Sequence, residues 1–391
     1  MKKILGGVVC CMLILGACVE FPSHYEHVMK SDVRLLDFIY DPVDASPGDT
    51  VLLTAVFAGK RIDENDLQWS VSYDVAGNPY GVDSAFDIQP LQQIAVDHTP
   101  FSENTSTIAF KFVVPVDIIR NSTGVASRWA SMVTPEILAK LPMETEDTEN
   151  LTLSDAIDYI ELLGATINAL PEVGEQITSE NPELLSAFPS FLQMFTTQMR
   201  IYAQIRDGHR IRSDFSVRYN NALRSLSGIP INRNPVIDSA GIYKVQGENR
   251  LRYNLSEGRY QFFRIRREDD PDYDPNDKIP VESGYTYFLA AFSSDFDSTL
   301  TLDGIAEGGR WSQERHRTQW YSEKPEDVPS SSYVNVINMG NELNVIELVD
   351  REVPESLTIW LEVYDYMPNV IFRPQGSTLA EYTINFDFGD E

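Results

Sequence analysis

The chain has 391 residues, of which 59 are Asp or Glu and 31 are Lys or Arg, giving a formal net charge of −28. That balance excludes charge-driven binding to nucleic acid and repels anionic lipid surfaces. An apolar content of 42% with 11% aromatics is ample for a packed core and excludes a globally disordered chain.

The chain opens Met1-Lys2-Lys3 and then runs apolar from Ile4 to Ala17. Lysines ahead of a short apolar run read as a bacterial export signal, and the run is shorter than the roughly 20 residues that a membrane-spanning helix needs. All three cysteines (Cys10, Cys11 and Cys18) lie in or just after it. The stretch Leu15-Gly16-Ala17-Cys18 resembles the lipobox of bacterial lipoproteins. The resemblance implies a signal peptide over residues 1–17, cleavage before Cys18, a diacylglyceryl group on its sulfur and an acyl chain such as palmitate on the new amine. The mature chain then holds a single, lipidated cysteine and no intrachain disulfide. Val19 stands where Asp marks inner-membrane retention in that family, which implies the outer membrane. Residues 18–30 read as a tether, with His24 and His27 as solvated side chains rather than metal ligands.

From residue 31 the apolar period is two. "VRLLDFIYDP", the turn Ser46-Pro47-Gly48-Asp49 and "TVLLTAVFAG" come first, with Leu53, Ala55 and Phe57 on one face. Trp69, Val71 and Tyr73 share a face in the next segment, as do Ile108, Phe110 and Phe112 later. Short alternating strands between Pro, Gly and Asp turns predict an antiparallel sandwich. The "SPGDTVLLTAVF" stretch and Trp69 resemble bacterial immunoglobulin-like domains, which implies a tryptophan packed between two sheets. No cysteine pair flanks it.

Residues 127–195 break the pattern and predict a helical insertion. Thr134-Pro135-Glu136 and Asn181-Pro182-Glu183 read as helix starts. "LSDAIDYIELLGATINAL" places Leu153, Ile157, Ile160, Gly164 and Ile167 on one helical face. The two-residue period returns at "RIRSDFSVRY", where Ile211, Phe215, Val217 and Tyr219 alternate with Arg210, Arg212, Asp214, Ser216 and Arg218. With the turn at Asp207-Gly208 this reads as a hairpin whose arginines face water. Phe188, Leu192, Phe195 and Met199 fit a continuation of the helix that starts at Asn181, and period alone leaves open the alternative of one helix over residues 190–206.

"SGIPINRNPVI", residues 227–237, reads as a linker. Beyond it "PVIDSAGIYKV", then, after an insertion, "SGYTYFLAAF" and "TQWYS" repeat the first region's order, aligning Phe288, Ala290 and Phe292 with Leu53, Ala55 and Phe57, and Trp320 with Trp69. The expected fold is therefore mainly β: two tandem immunoglobulin-like antiparallel β-sandwiches over residues 31–226 and 238–391, the first carrying the small helical insertion.

No serine nucleophile elbow, phosphate-binding glycine loop or His-Glu-x-x-His is present, and His98, His209 and His316 have no motif partner. In "EDDPDYDPNDK" the oxygens of Asp270, Asp272, Asp274 and Asn276 alternate in a way that suits calcium, although Asp277 stands where a calcium loop has Gly. The bland reading is a solvated acidic loop. The functional expectation is a non-enzymatic lipid-anchored envelope protein that binds a protein partner, an envelope complex or a surface glycan. The alternatives are a carbohydrate-active module, signalled by an exposed row of aromatics such as Trp311, Trp320 and Trp360, and a calcium-dependent adhesin.

Overall fold

A computed structural model describes residues 27–29, 33–62, 67–73, 92–97, 105–132, 151–180, 195–205, 210–219, 232–246, 259–294, 298–300, 311–313, 315–324, 335–338, 343–347, 355–366 and 376–389. The protein is mainly β, with several antiparallel sheets. Strand β1 spans His27–Met29, β2 Val33–Asp41, β3 Thr50–Gly59, β4 Leu67–Tyr73, β5 Gln92–Asp97 and β6 Thr105–Val113. Helices α1 (Thr123–Met132), α2 (Leu153–Ala169) and α3 (Pro171–Glu180) follow, then β7 (Thr196–Ile205) and β8 (Arg210–Arg218).

In this first half β2-β3-β6-β5 form one sheet and β4-β7-β8 another. The two-residue period has its expected outcome here: Leu53, Ala55, Phe57, Ile108 and Phe110 are buried from one sheet, and Met199, Ile201, Phe215 and Val217 from the other. Burying each of the larger side chains stabilises by about 1.5–3 kcal/mol. The turn before β3 closes through Ser46 N–H donating to Asp49 Oδ2 at 2.8 Å, and Gly48 takes the left-handed φ of 87° that a side chain would strain. Helix α2 starts at a capping box of Thr152 and Asp155 and buries Ala156, Ile157, Ile160, Gly164 and Ile167 against the same core.

The hairpin reading holds, because β7 pairs antiparallel with β8 and carries Met199 as a strand residue. The Asn181 helix start and Thr134-Pro135-Glu136 lie outside the described residues. Arg218 corrects the expectation of water-facing arginines. It is 8% exposed, and its Nε and Nη2 donate to Asp44 Oδ1 and Oδ2 at 2.6 and 2.7 Å. Residue parity assigned it to the wet side, but Ala45 bridges to Val217 and brings Asp44 over that side of β8.

The second half runs β9 (Val236–Gln246), β10 (Tyr260–Ile265), β11 (Ile279–Pro280), β12 (Tyr285–Ser294), β13 (Ser298–Leu300), β14 (Trp311–Gln313), β15 (Arg315–Lys324), β16 (Asn335–Asn338), β17 (Leu343–Glu347), β18 (Ser356–Tyr366) and β19 (Ser377–Asp387). Its sheets are β10-β9-β12-β17-β16 and β1-β15-β18-β19-β11, with a β13-β14 ribbon beside them. The order β9-β12-β17-β16 repeats β2-β3-β6-β5, and β15-β18-β19 repeats β4-β7-β8. Even a detail recurs: Ala45 bridges parallel to β8, and β11 pairs parallel with β19.

The register within this repeat differs from the sequence alignment. The core receives Tyr287, Leu289 and Ala291, whereas Phe288 packs with Val245 on the opposite face and Phe292 is exposed. "YFLAAF" is apolar at both parities, so alternation alone could not choose the buried face, and a one-residue slip inverts it.

The halves meet across a third apolar cluster: Val28 of β1, Leu36, Val56 and Ala58 of the first half, and Tyr321, Trp360 and Leu379 of the second. The end of the expected tether is thus a strand, with β1 pairing parallel to β15 and Val28 buried. The described part of the expected linker is wired to both halves rather than slack. Asn232 donates from its backbone N–H to Asp44 Oδ2 at 3.1 Å and from its side chain to Asp365 Oδ2 at 2.9 Å. Asn234 donates to the Tyr40 carbonyl at 2.9 Å and accepts from Ser377 N–H at 3.0 Å.

Candidate binding site

Strand β10 is the edge of its sheet and carries Tyr260 and Phe262 at alternating positions. Phe262 stands opposite Tyr243 of β9, which in turn stands opposite Phe288 of β12. Alternation therefore collects Tyr260, Tyr243, Phe262 and, further along β12, Phe292 on the outer face. Tyr243 lies 5.2 Å from Tyr260 and 4.8 Å from Phe262, and Phe262 lies 6.1 Å from Phe292, measured between ring centroids. Tyr260, Phe262 and Phe292 are 42%, 40% and 44% exposed, so this is a row of rings open to solvent. Gly241 makes room for it, since a Cβ there would lie 2.3 Å from Phe262 Cζ. Contact with Tyr260 and burial of the ring raise the Tyr243 hydroxyl above its ordinary pKa, burial being the larger cause.

Phe262 also walls a cleft of about 350 Å³ between β10 and β19. The wall continues through Arg264 and Arg266 into the loop carrying Tyr273, Asp274, Asp277 and Lys278, and closes on Thr383 and Asn385 of β19. Asn385 Nδ2 donates to the Pro275 carbonyl at 2.9 Å, and Arg266 Nη1 lies 3.6 Å from Asp277 Oδ2, which hold the loop over β19. On β9 Lys244 is buried, 2.6 Å from Glu282 Oε1 and 4.6 Å above the centre of the Tyr285 ring.

The acidic quartet sits in this loop but does not converge. Asp270 Oδ1 accepts from Asp272 N–H at 3.0 Å, and Asp274 Oδ1 accepts from Asn276 N–H at 2.8 Å. Asp272, Asp274 and Asn276 are exposed. The alternation seen in the sequence serves local turns. Among the described residues no three His, Cys, Asp or Glu side chains are grouped to hold a metal ion. Trp320 and Trp360, expected in an exposed aromatic row, are both fully buried, and Trp360 Nε1 donates to Thr105 Oγ1 at 3.0 Å and Glu381 Oε2 at 2.9 Å across the junction. Trp320 faces the core of the second half, and Trp360 faces the junction, where the first half covers it. Trp311 begins β14 and His316 lies in β15, but their side chains, like Cys18, His24, His98 and His209, lie outside the described residues.

The aromatic row was missed because residues 251–265 read as an insertion. "RYQFFRI" nevertheless alternates Tyr260 and Phe262 with Gln261 and Phe263, and that period was the available signal.

A second polar site lies at the junction. Burial raises the Asp37 carboxyl to about 6, against opposing hydrogen bonds from Ser377 and Phe38, and its Oδ2 has no hydrogen-bond partner among the described residues. Glu362 is also raised well above the usual range, first by burial and then by Asp37, while accepting the Tyr321 hydroxyl at 2.8 Å. The Arg34 guanidinium lies 4.9 Å over the Tyr321 ring.

No protein-family model and no curated protein matches the chain. Among solved structures, it was matched to "Protocadherin Gamma B2 extracellular cadherin domains 3-6" at 8% identity, over 92% of this chain and 78% of that one. The TM-score is 0.14, too low to bear on either fold or function. No helix among the described residues is long and apolar enough to cross a membrane.

Proposed function

We propose that this chain is a lipid-anchored, non-enzymatic binding protein of the bacterial outer membrane, built as two immunoglobulin-like sandwiches in tandem. The lipobox Leu15-Gly16-Ala17-Cys18 supports the anchor, with cleavage before Cys18. The sheet orders β2-β3-β6-β5 and β4-β7-β8 support the immunoglobulin-like reading, since a constant-type sandwich lays its strands A-B-E-D against C-F-G. On this reading β9, β12, β15, β16, β17, β18 and β19 are the same seven strands of a second copy, and α1–α3 are inserted between the fifth and sixth strands of the first.

The observation that carries the binding role is the solvent-open row of Tyr243, Tyr260, Phe262 and Phe292 beside a cleft with charges of both signs. Exposed apolar patches rimmed by polar groups mark interaction sites. The native lipoprotein and Cys18→Ala are to be extracted from membranes and used as bait in parallel. The reading expects the native form in the membrane fraction, Cys18→Ala released in soluble, folded form, and a ligand retained by both. A membrane-bound Cys18→Ala overturns the anchor, and failure to retain any envelope protein or glycan overturns the binding role.

A further inference from the structure

We propose that the ring face of β9, β10 and β12, together with the cleft behind β10, is an oligosaccharide-binding site. The proposal rests on the binding reading above and names its ligand.

The first argument is size. Three rings about 40% exposed present on the order of 250 Å² of aromatic surface, taking roughly 200 Å² for each side chain. A stable protein interface needs about 800 Å² on each partner. The rings by themselves fall short of that area, and the cleft's 350 Å³ falls in the roughly 300–1,000 Å³ range of small-ligand sites.

The second argument is chemistry. A sugar ring has an apolar C–H face and a rim of hydroxyls, each able both to donate and to accept. The protein offers that pairing in order: a row of exposed aromatic rings, then Phe262 as the shared wall, then Arg264 and Lys278 as donors and Asp274 and Asp277 as acceptors in the lining of the cleft. A phosphate-rich ligand would meet the two carboxylates, and an acyl chain would have to cover four charged side chains. The parallel extent of the row, three ring-to-ring steps of 4.8–6.1 Å, suits a chain of several sugars rather than one.

The test uses the full-length Cys18→Ala protein on a printed array of bacterial and plant oligosaccharides, followed by calorimetry with the oligosaccharides retained. The expected result is one site per chain, with affinity at least tenfold weaker in both Phe262→Ala and Tyr260→Ala. Lys278→Ala and Asp277→Asn should each weaken it as well, while Leu162→Ala, 68% exposed on α2 of the first half, leaves it unchanged. Phe262→Leu guards against misfolding: it fills most of the space over Gly241 but lacks the ring, and must also lose affinity while keeping the wild-type melting temperature. A blank array at millimolar oligosaccharide overturns the proposal, as does binding unaffected by Phe262→Leu. If the array is blank but a protein is still retained in the pull-down, the binding role stands and the sugar assignment alone is wrong. Self-association abolished by Phe262→Leu overturns it in favour of a second copy.

Discussion

The bidentate pair of Asp44 and Arg218 permits a sharp test of how the first half is closed and joined to the second. Asp44 is fully buried, Arg218 nearly so, and the Asn232 N–H donates to the same carboxylate. Asp44→Ala removes two charge-assisted bonds and leaves a guanidinium buried without its counter-charge. Breaking a buried pair from one side costs about 3–5 kcal/mol. At a urea slope of about 3 kcal/mol/M, that lowers the unfolding midpoint by roughly 1–1.7 M. Replacing both partners with apolar residues, Asp44→Ala with Arg218→Met, removes the uncompensated charge and should recover most of the loss. Urea titrations of the wild type, both single variants and the double variant, followed by far-UV circular dichroism, give the coupling directly. A single variant that costs under about 1 kcal/mol, or a double variant as unstable as Asp44→Ala, would refute the reasoning.

Asp37 makes a pH prediction of opposite sign to the usual carboxylate. Its folded value of about 6 lies above its ordinary 3.8, so the folded state holds a proton that the unfolded state has released, and stability falls as pH rises from 4 through 6. Asp37→Asn should therefore melt higher than the wild type at pH 7.5, with the gain fading toward pH 4.5; an equal difference at both pH values would show that burial does not raise this group. The register of β12 predicts that Leu289→Ala costs about 2–5 kcal/mol while Phe292→Ala costs little, because the former is fully buried and the latter 44% exposed. Chemical denaturation of the two variants decides it, and the reverse order would restore the sequence alignment.

The strands were legible where the two parities differed in apolar character, even when the second was only partly polar. Leu53, Ala55 and Phe57 alternate with Leu52, Thr54 and Val56, and the core-facing set was identified correctly. Val56 and Ala58 then proved buried on the other side as well, because β15, β18 and β19 cover the end of β3. No local pattern can announce a contact made by residues 260 positions away. The same limit hid the site: Phe262 meets Tyr243 through strand pairing across a segment that looked like an insertion, and Arg218 finds Asp44 across the whole first half. The acidic quartet misled for a different reason. Asp and Asn at alternating positions satisfy their own backbone in successive turns as readily as they surround a cation.

Strand β1 alters where such a protein would stand relative to its membrane. From a lipid on Cys18, as proposed above, nine residues of chain reach His27, a span of at most roughly 30 Å. Val28 is then already locked between the two halves. The mooring point is the waist of the molecule and not the foot of its first sandwich. A protein held this way is tethered at the contact between its two halves, so lengthening the leader would move both halves away from the lipid together.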